Sequence, residues 1–267
     1  GFFDPGTVIF KALNERGVHN PNTTLAEMVD VLADLPLIYQ PGTSWEYSLA
    51  TDVTSRLVEV VSGQSFDKFI KARILDPLGM VDTGFVVPQQ DQGRLVAYYA
   101  GADLMEPMKP GLTRTDNAPF PGAYLRPVAR LSGGGGLVST TMDYARFAQM
   151  LLNGGTFDGK TIMKPETFKE LTTDRVGPGS GVQRDFFYFP GDGFGFGLGI
   201  AVRTDPGNAK PPPPGDLGEL KWDGASGCYY VIDRKQDMFF ILLEQTPSER
   251  QRIQRTLKQL VYEAMEN

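Results

Sequence analysis

Two short segments of this 267-residue chain combine residue types that could do chemistry. The first runs Pro41-Gly42-Thr43-Ser44-Trp45-Glu46-Tyr47-Ser48-Leu49, with Pro36 just before it. A tyrosine between prolines and a helix start is held in place. A nearby cation would bring its high phenol pKa into range for acid–base work. Tyr47 is also one of ten tyrosines and could pack like the rest. The second segment is Trp222-Asp223-Gly224-Ala225-Ser226-Gly227. Its small residues would let a ligand lie against the backbone, and a free N–H at Ala225 could stabilise an oxyanion. The plainer alternative is an edge strand with a glycine bulge.

Other candidates carry less. Ser65-Phe66-Asp67-Lys68 has the Ser-x-x-Lys spacing that puts a lysine one helical turn from a nucleophilic serine. Ser65 also suits the N-cap of a helix that Phe66 and Phe69 would turn into a core. His19, the single histidine, lies in a polar loop and reads as a surface residue rather than a triad member. Cys228, the single cysteine, sits in an apolar run and reads as packing. Gly133–Gly136 lacks the following Lys-Ser/Thr of a phosphate loop. Gly193, Gly195, Gly197 and Gly199 do not match a dinucleotide fingerprint. Both sets read as turns or close backbone approaches.

The elements that must position these residues follow from pattern. Residues 1–24 read as irregular and polar. Thr24-Leu25-Ala26-Glu27 is a capping box opening a helix to about Ala33. A second helix fits 51–62, with Val53, Leu57, Val58 and Val61 on one side and Gly63 as its stop. A third starts at Ser65 and is expected to end at Pro77. Val96–Ala100 reads as a strand and 107–127 as a long loop. Thr140 to Asp143 caps a further helix ending at Gly154-Gly155, and Pro165 starts another. Phe194–Val202 reads as a strand, and Lys210–Gly215 as a stiff exposed loop. Cys228–Asp233 and Met238–Gln245 read as a hairpin. Ser248 to Met265 reads as an amphipathic helix with Ile253, Leu257, Leu260, Val261 and Met265 on one face. The expected organisation is a helical, loop-rich region at 1–185 carrying the tyrosine segment, and antiparallel strands with a terminal helix at 186–267. Together they form one catalytic domain of α/β (α+β) class.

Composition narrows the function. The 26 basic and 32 acidic residues leave a net charge of −6 with no basic run, which argues against nucleic acid as a partner. One cysteine and one histidine exclude an internal disulfide and multi-histidine or cysteine-rich metal centres. No apolar run reaches the roughly 18 residues of a membrane span.

Pro-Gly-Thr-x-Trp-x-Tyr-Ser at 41–48, Asp76-Pro77-Leu78-Gly79-Met80 with Asp82-Thr83, and Gly134–Thr140 with Asp143-Tyr144-Ala145-Arg146-Phe147 resemble the serine β-lactamase-like superfamily. The nearest branch is that of class C β-lactamases and family VIII carboxylesterases. Trp222-Asp223-Gly224-Ala225 falls where the family's third motif belongs. The resemblance implies a β-lactamase/transpeptidase-like fold, an antiparallel sheet flanked by helices. It implies acyl transfer through a serine without metal or organic cofactor. Tyr47 is then part of the proton-transfer set and the Ala225 N–H part of the oxyanion hole, with Trp222, Asp223 and Gly224 lining the substrate. The family's Ser-x-x-Lys lies upstream of the tyrosine, and nothing in the 46 residues before Tyr47 fits. The expectation is therefore an upstream segment or chain supplying nucleophile and lysine. Trp222-Asp223 in place of Lys-Thr-Gly, and Leu49 in place of an amide-bearing residue, lean towards a small neutral ester. A β-lactamase or D-alanyl-peptide hydrolase and a non-catalytic binding protein on the same fold are the alternatives.

Overall fold

The computed structural model describes residues 6–101, 109–115, 122–176, 180–181, 183–184 and 191–265. The chain forms two compact units. One comprises Gly1–Pro88, Tyr124–Ser139 and Pro178–Tyr188. The other comprises Gln89–Ala123, Thr140–Gly177 and Phe189–Asn267. The expected boundary at 185/186 lies outside the described residues.

The first unit is helical. Its opening is not irregular as expected, because α1 spans Val8–Glu15, with Thr7 accepting the Phe10 N–H at 3.2 Å. Leu13 joins Val18, Leu25 and Met28 in a buried cluster, and that tertiary burial sustains a helix too short to declare itself by period. Next comes α2 (Leu25–Ala33), opened by the expected capping box. Thr24 accepts the Glu27 N–H at 3.2 Å, and Glu27 accepts the Thr24 N–H at 2.7 Å. The third helix, α3 (Ala50–Ser62), ends at Gly63 with φ 67°. Its orientation inverts the expected one. Asp52 and Ser55 are buried, while Val53, Leu57, Val60 and Val61 are exposed, Val61 at 79%. The glycine run explains the inversion. A Cβ on Gly133 would sit 2.0 Å from Ser55 Oγ, and one on Gly134 3.0 Å from Asp52 Oδ2. Only bare backbone lets this side of α3 come so close.

The chain does not leave the helical path at Pro77. After α4 (Phe66–Ile70), a π-helical turn covers Lys71–Leu75, and α5 (Asp76–Leu78) carries Pro77 itself. The wider turn takes up the lost N–H, and Gly79, with φ 67°, ends the run instead.

The second unit holds a five-stranded antiparallel sheet. Its strands are β1 (Phe194–Phe196), β2 (Ala201–Arg203), β3 (Leu220–Asp223), β4 (Gly227–Asp233) and β5 (Met238–Gln245), in spatial order β5-β4-β3-β2-β1. The single strand expected over 194–202 is thus a hairpin. Gly197 takes a hydrogen bond from no side chain; its N–H donates to the Ile200 carbonyl at 2.8 Å and closes the turn. The stretch expected as a long loop contains Thr113–Thr115, paired antiparallel with Tyr98–Ala100. Residues 107–108 and 116–121 of that stretch lie outside the described ones. Helix α6 (Thr141–Leu152), capped by Thr140, packs on β4 and β5. Helix α7 (Pro165–Leu171) starts at its proline, and α8 (Arg250–Met265) packs on β4.

Two expectations about this unit change. The proline loop is not simply exposed. Buried Arg203 donates to the carbonyls of Pro213 and Pro214 at 2.9 Å each and of Gly215 at 2.7 Å. On α8, Leu260 and Met265 are exposed, whereas Gln254 and Lys258 are buried. The reason is beneath the helix, where Lys258 Nζ meets both carboxylate oxygens of the fully buried Glu219 at 2.6 and 2.8 Å.

Candidate active site

Tyr47 belongs to the first unit, between the two-residue strand Ser44–Trp45 and the start of α3. The preceding turn is closed twice, by the Thr43 N–H and hydroxyl donating to the Gln40 carbonyl at 3.1 and 2.8 Å. Gly42, at φ 84°, supplies the left-handed residue that this turn requires. Ser44–Trp45 then pairs in parallel with Gln183–Arg184. The Tyr47 ring is half-buried, tilted 57° against Trp45 with centroids 6.4 Å apart. Two residues later the backbone turns helical, with the Val53 N–H donating to the Leu49 carbonyl. The phenol is therefore fixed by an anchored turn on one side and by α3, seated on glycine, on the other.

Trp222, Asp223, Gly224 and Ala225 belong to the second unit, at the end of β3 and in its turn to β4. β2 pairs with β3 only through Leu220 and Lys221, so Trp222 and Asp223 have a strand partner on the β4 side alone. The Trp222 ring meets Phe196 edge-on at 5.0 Å. Gly224-Ala225-Ser226-Gly227 is a tight turn closed by the Gly227 N–H on the Gly224 carbonyl at 3.0 Å. Gly227, at φ 96°, starts the bulge that the plainer sequence reading anticipated, and the register shifts between it and Tyr229. The bulge and the candidate site are one feature. The Ala225 residue is exposed, and its N–H makes no hydrogen bond among the described residues, so it is free to donate to a ligand.

Asp223 is not an isolated anion. Its Oδ2 lies 3.8 Å from Arg250 Nη1, and its side chain is 29% exposed. Burial pushes the carboxyl up, while Arg250 and then Lys221 pull it back. The neighbouring Lys221 ammonium stacks 3.9 Å over the Phe194 ring, and burial and then Lys258 push it down.

The remaining sequence candidates separate from these. Ser65 stands at the N-cap of α4 but does not cap with its side chain, and no hydrogen bond joins it to Lys68. Glu59 takes the Phe66 N–H instead, at 3.2 Å. His19 is exposed. The Cys228 thiol donates to the Glu244 carbonyl at 3.2 Å, and burial raises its pKa, so it is a poor nucleophile. Among the described residues no group of three or more His, Cys, Asp or Glu side chains could hold a metal ion. No described helix is long and apolar enough to cross a membrane.

Sequence reasoning missed Arg250 and Gln254. Arg250 Nη1 donates to the Gly224 carbonyl at 2.9 Å, and Gln254 Nε2 donates to the Gly227 carbonyl at 3.1 Å. The available signal was the i, i+4 spacing of two polar residues near the start of an otherwise amphipathic helix.

A five-stranded antiparallel sheet with helices on it in one unit, and a further, helical unit, are the parts of the β-lactamase/transpeptidase-like fold. The Beta-lactamase family model matches residues 1–263, and the chain belongs to that family. Protein Rv1367c of Mycobacterium tuberculosis is 37% identical over 216 residues, covering 80% of this chain and 52% of that protein. Esterase EstB of Burkholderia gladioli is 31% identical over 245 residues, covering 87% and 57%. Among solved structures, EstCE1, described as a hydrolase with promiscuous acyltransferase activity, superposes with a TM-score of 0.71 at 25% identity, covering 88% of this chain and 61% of that one. The chain spans about half the length of the curated relatives it matches.

Proposed function

We propose that this chain belongs to a serine hydrolase that works through an acyl-enzyme, and that its substrates are small, short-chain carboxylic esters. The observation that carries the reading is the unspent N–H of Ala225 at an exposed turn beside Trp222. In an acyl transfer the carbonyl oxygen gains negative charge as the tetrahedral intermediate forms. A backbone N–H already held in an exposed turn stabilises that charge without reorganising. Tyr47 carries the proton between nucleophile and leaving group. Trp222 offers an apolar wall to the ester, and Gly224 keeps the backbone accessible. Asp223 and Arg250 balance one another, so the segment presents no net charge to draw an anionic β-lactam or peptide carboxylate.

The nucleophilic serine and its lysine come from an upstream segment or chain carrying Ser-x-x-Lys. Two surfaces support such a partner. Among the described residues, the apolar side of α3 is uncovered and β5, with Phe239, Phe240, Ile241, Leu242 and Leu243, is an edge of its sheet. An eight-residue edge strand whose first six residues are apolar invites a further strand.

The test uses the protein together with that segment. Hydrolysis of a p-nitrophenyl ester series is compared with turnover of a chromogenic cephalosporin, alongside labelling by a fluorophosphonate. Ester turnover with weak cephalosporin turnover is expected. The reverse ratio would assign a β-lactamase, and no labelling in any form would assign a binding role. Tyr47→Phe is expected to slow acylation by about a hundredfold or more.

A further inference from the structure

The hydrogen bonds around the 224–227 turn are unevenly supplied. Within the hairpin, the Gly227 N–H holds the Gly224 carbonyl, and the Gly224 N–H donates to the Cys228 carbonyl at 2.7 Å. The Thr246 N–H, just past β5, holds the Ser226 carbonyl at 2.7 Å. The two carbonyls at the corners of the turn each take a donor from α8, Gly224 from Arg250 and Gly227 from Gln254. One helix face thus holds both ends of the turn, with Asp223 beside Arg250 to match its charge.

The entry to that helix is itself fixed. Ser248 is buried, its N–H donating to Thr246 Oγ1 at 3.2 Å and its hydroxyl to the Lys109 carbonyl at 3.0 Å. Glu249 then adopts φ 54°, which costs energy for a residue with a Cβ. That left-handed residue comes directly before Arg250. Arg250 Nε is buried without a hydrogen-bond partner among the described residues, so this arginine spends its bonding on the turn and on Asp223.

We infer that Arg250 and Gln254 are positioning residues that fix the direction of the Ala225 N–H by clamping the two carbonyls that flank its turn. This inference rests on the reading of Ala225 as an oxyanion donor. Neither side chain needs to touch substrate. Their effect passes through two peptide planes, because rotating the Gly224 carbonyl rotates the Ala225 N–H that shares its peptide plane. A misplacement on the order of 1 Å costs about a hundredfold in rate.

The experiment reads amide hydrogen exchange at Gly224, Gly227 and Thr246, together with steady-state ester hydrolysis by the full protein. Arg250→Met and Gln254→Leu remove the donors at similar side-chain length. Arg250→Lys restores one donor. Val261→Ala perturbs α8 away from the turn. Arg250→Met is expected to speed exchange at the three amides by about tenfold or more. It should lower kcat by about tenfold to a hundredfold with little change in KM. Arg250→Lys should recover much of both effects, and Val261→Ala should leave both unchanged. Unaltered exchange in Arg250→Met and Gln254→Leu would overturn the clamp. Faster exchange with unaltered kcat would overturn its role in positioning. A wild type that hydrolyses no ester would instead sink the functional reading, and the exchange data would still decide the clamp.

Discussion

Helices α3 and α8 both bury polar side chains and leave apolar ones outside, and they do so for different reasons. On α8 the buried groups, Arg250 Nε apart, are matched by others. Lys258 has Glu219, Gln254 has the Gly227 carbonyl, and Tyr262 donates to Asp233 at 2.7 Å. On α3 the buried side is admitted by shape. Ser55 bonds only to the carbonyl of Thr51 in its own helix, and glycine backbone lies against it and Asp52. The exposed sides differ as well. Apolar residues at 53, 57, 60 and 61 make a continuous stripe on α3, while Leu260 and Met265 on α8 are scattered. A helix seated on glycine with its apolar stripe uncovered still has a surface to offer.

The largest effect separating the two should come from Lys258→Met. It strands a fully buried carboxylate on Glu219, and a loss of about 3–5 kcal/mol in urea unfolding is expected. The double variant Lys258→Met with Glu219→Gln should lose less; an equal loss would mean that the charge pair is not the reason for the burial. Gly133→Ala tests the steric basis of α3. A Cβ 2.0 Å from Ser55 Oγ should destabilise by about 1–3 kcal/mol, and Ser55→Ala on top should recover part of it. No loss would show that α3 can move off the glycine run.

Titration of one buried phenol bears on the second unit. The Tyr144 phenol, 5.4 Å from the Tyr230 ring, is pushed up to about 12, chiefly by burial. A raised pKa means that the folded state keeps the proton after the unfolded chain has lost it. The share of stability that depends on this phenol is therefore unaffected below about pH 10 and falls between about pH 10 and 12, by at most about 1.4 kcal/mol per pH unit. Tyr144→Phe should flatten that slope. The smallest effect is expected from Val61→Thr on the exposed stripe, within about 0.5 kcal/mol for this chain alone. A clearly larger loss would show that the stripe is already covered.

Much of this was legible in the residues. The capping box at Thr24, the stop at Gly63, the hairpin about 234–237 and the glycine bulge at 227 are local features, each decided by chemistry within a few residues. The helix Val8–Glu15 was not legible, since its one buried residue, Leu13, owes its burial to Leu25 and Met28 further along. The face of α3 was misread because hydrophobic period assumes that the neighbour is apolar, and here it is glycine backbone. Pro77 was misread as a stop because the π turn before it depends on three-dimensional packing rather than composition. Of the candidate site, Tyr47 and the 222–225 segment stand out by type and spacing. Arg250 and Gln254 do not, because what they hold is main chain, which leaves no mark in a sequence.

The Arg203 anchor has a consequence for handling the protein. Between Pro206 and Gly215 the chain forms neither helix nor strand, and proline removes half of its donors. Its carbonyls, however, converge on a guanidinium that is itself enclosed. A protease cleaves where irregular backbone can be pulled out into its groove. This segment should resist a broad-specificity protease such as subtilisin for as long as Arg203 stays seated. Its first nick would then serve as a clock for opening of the sheet beneath.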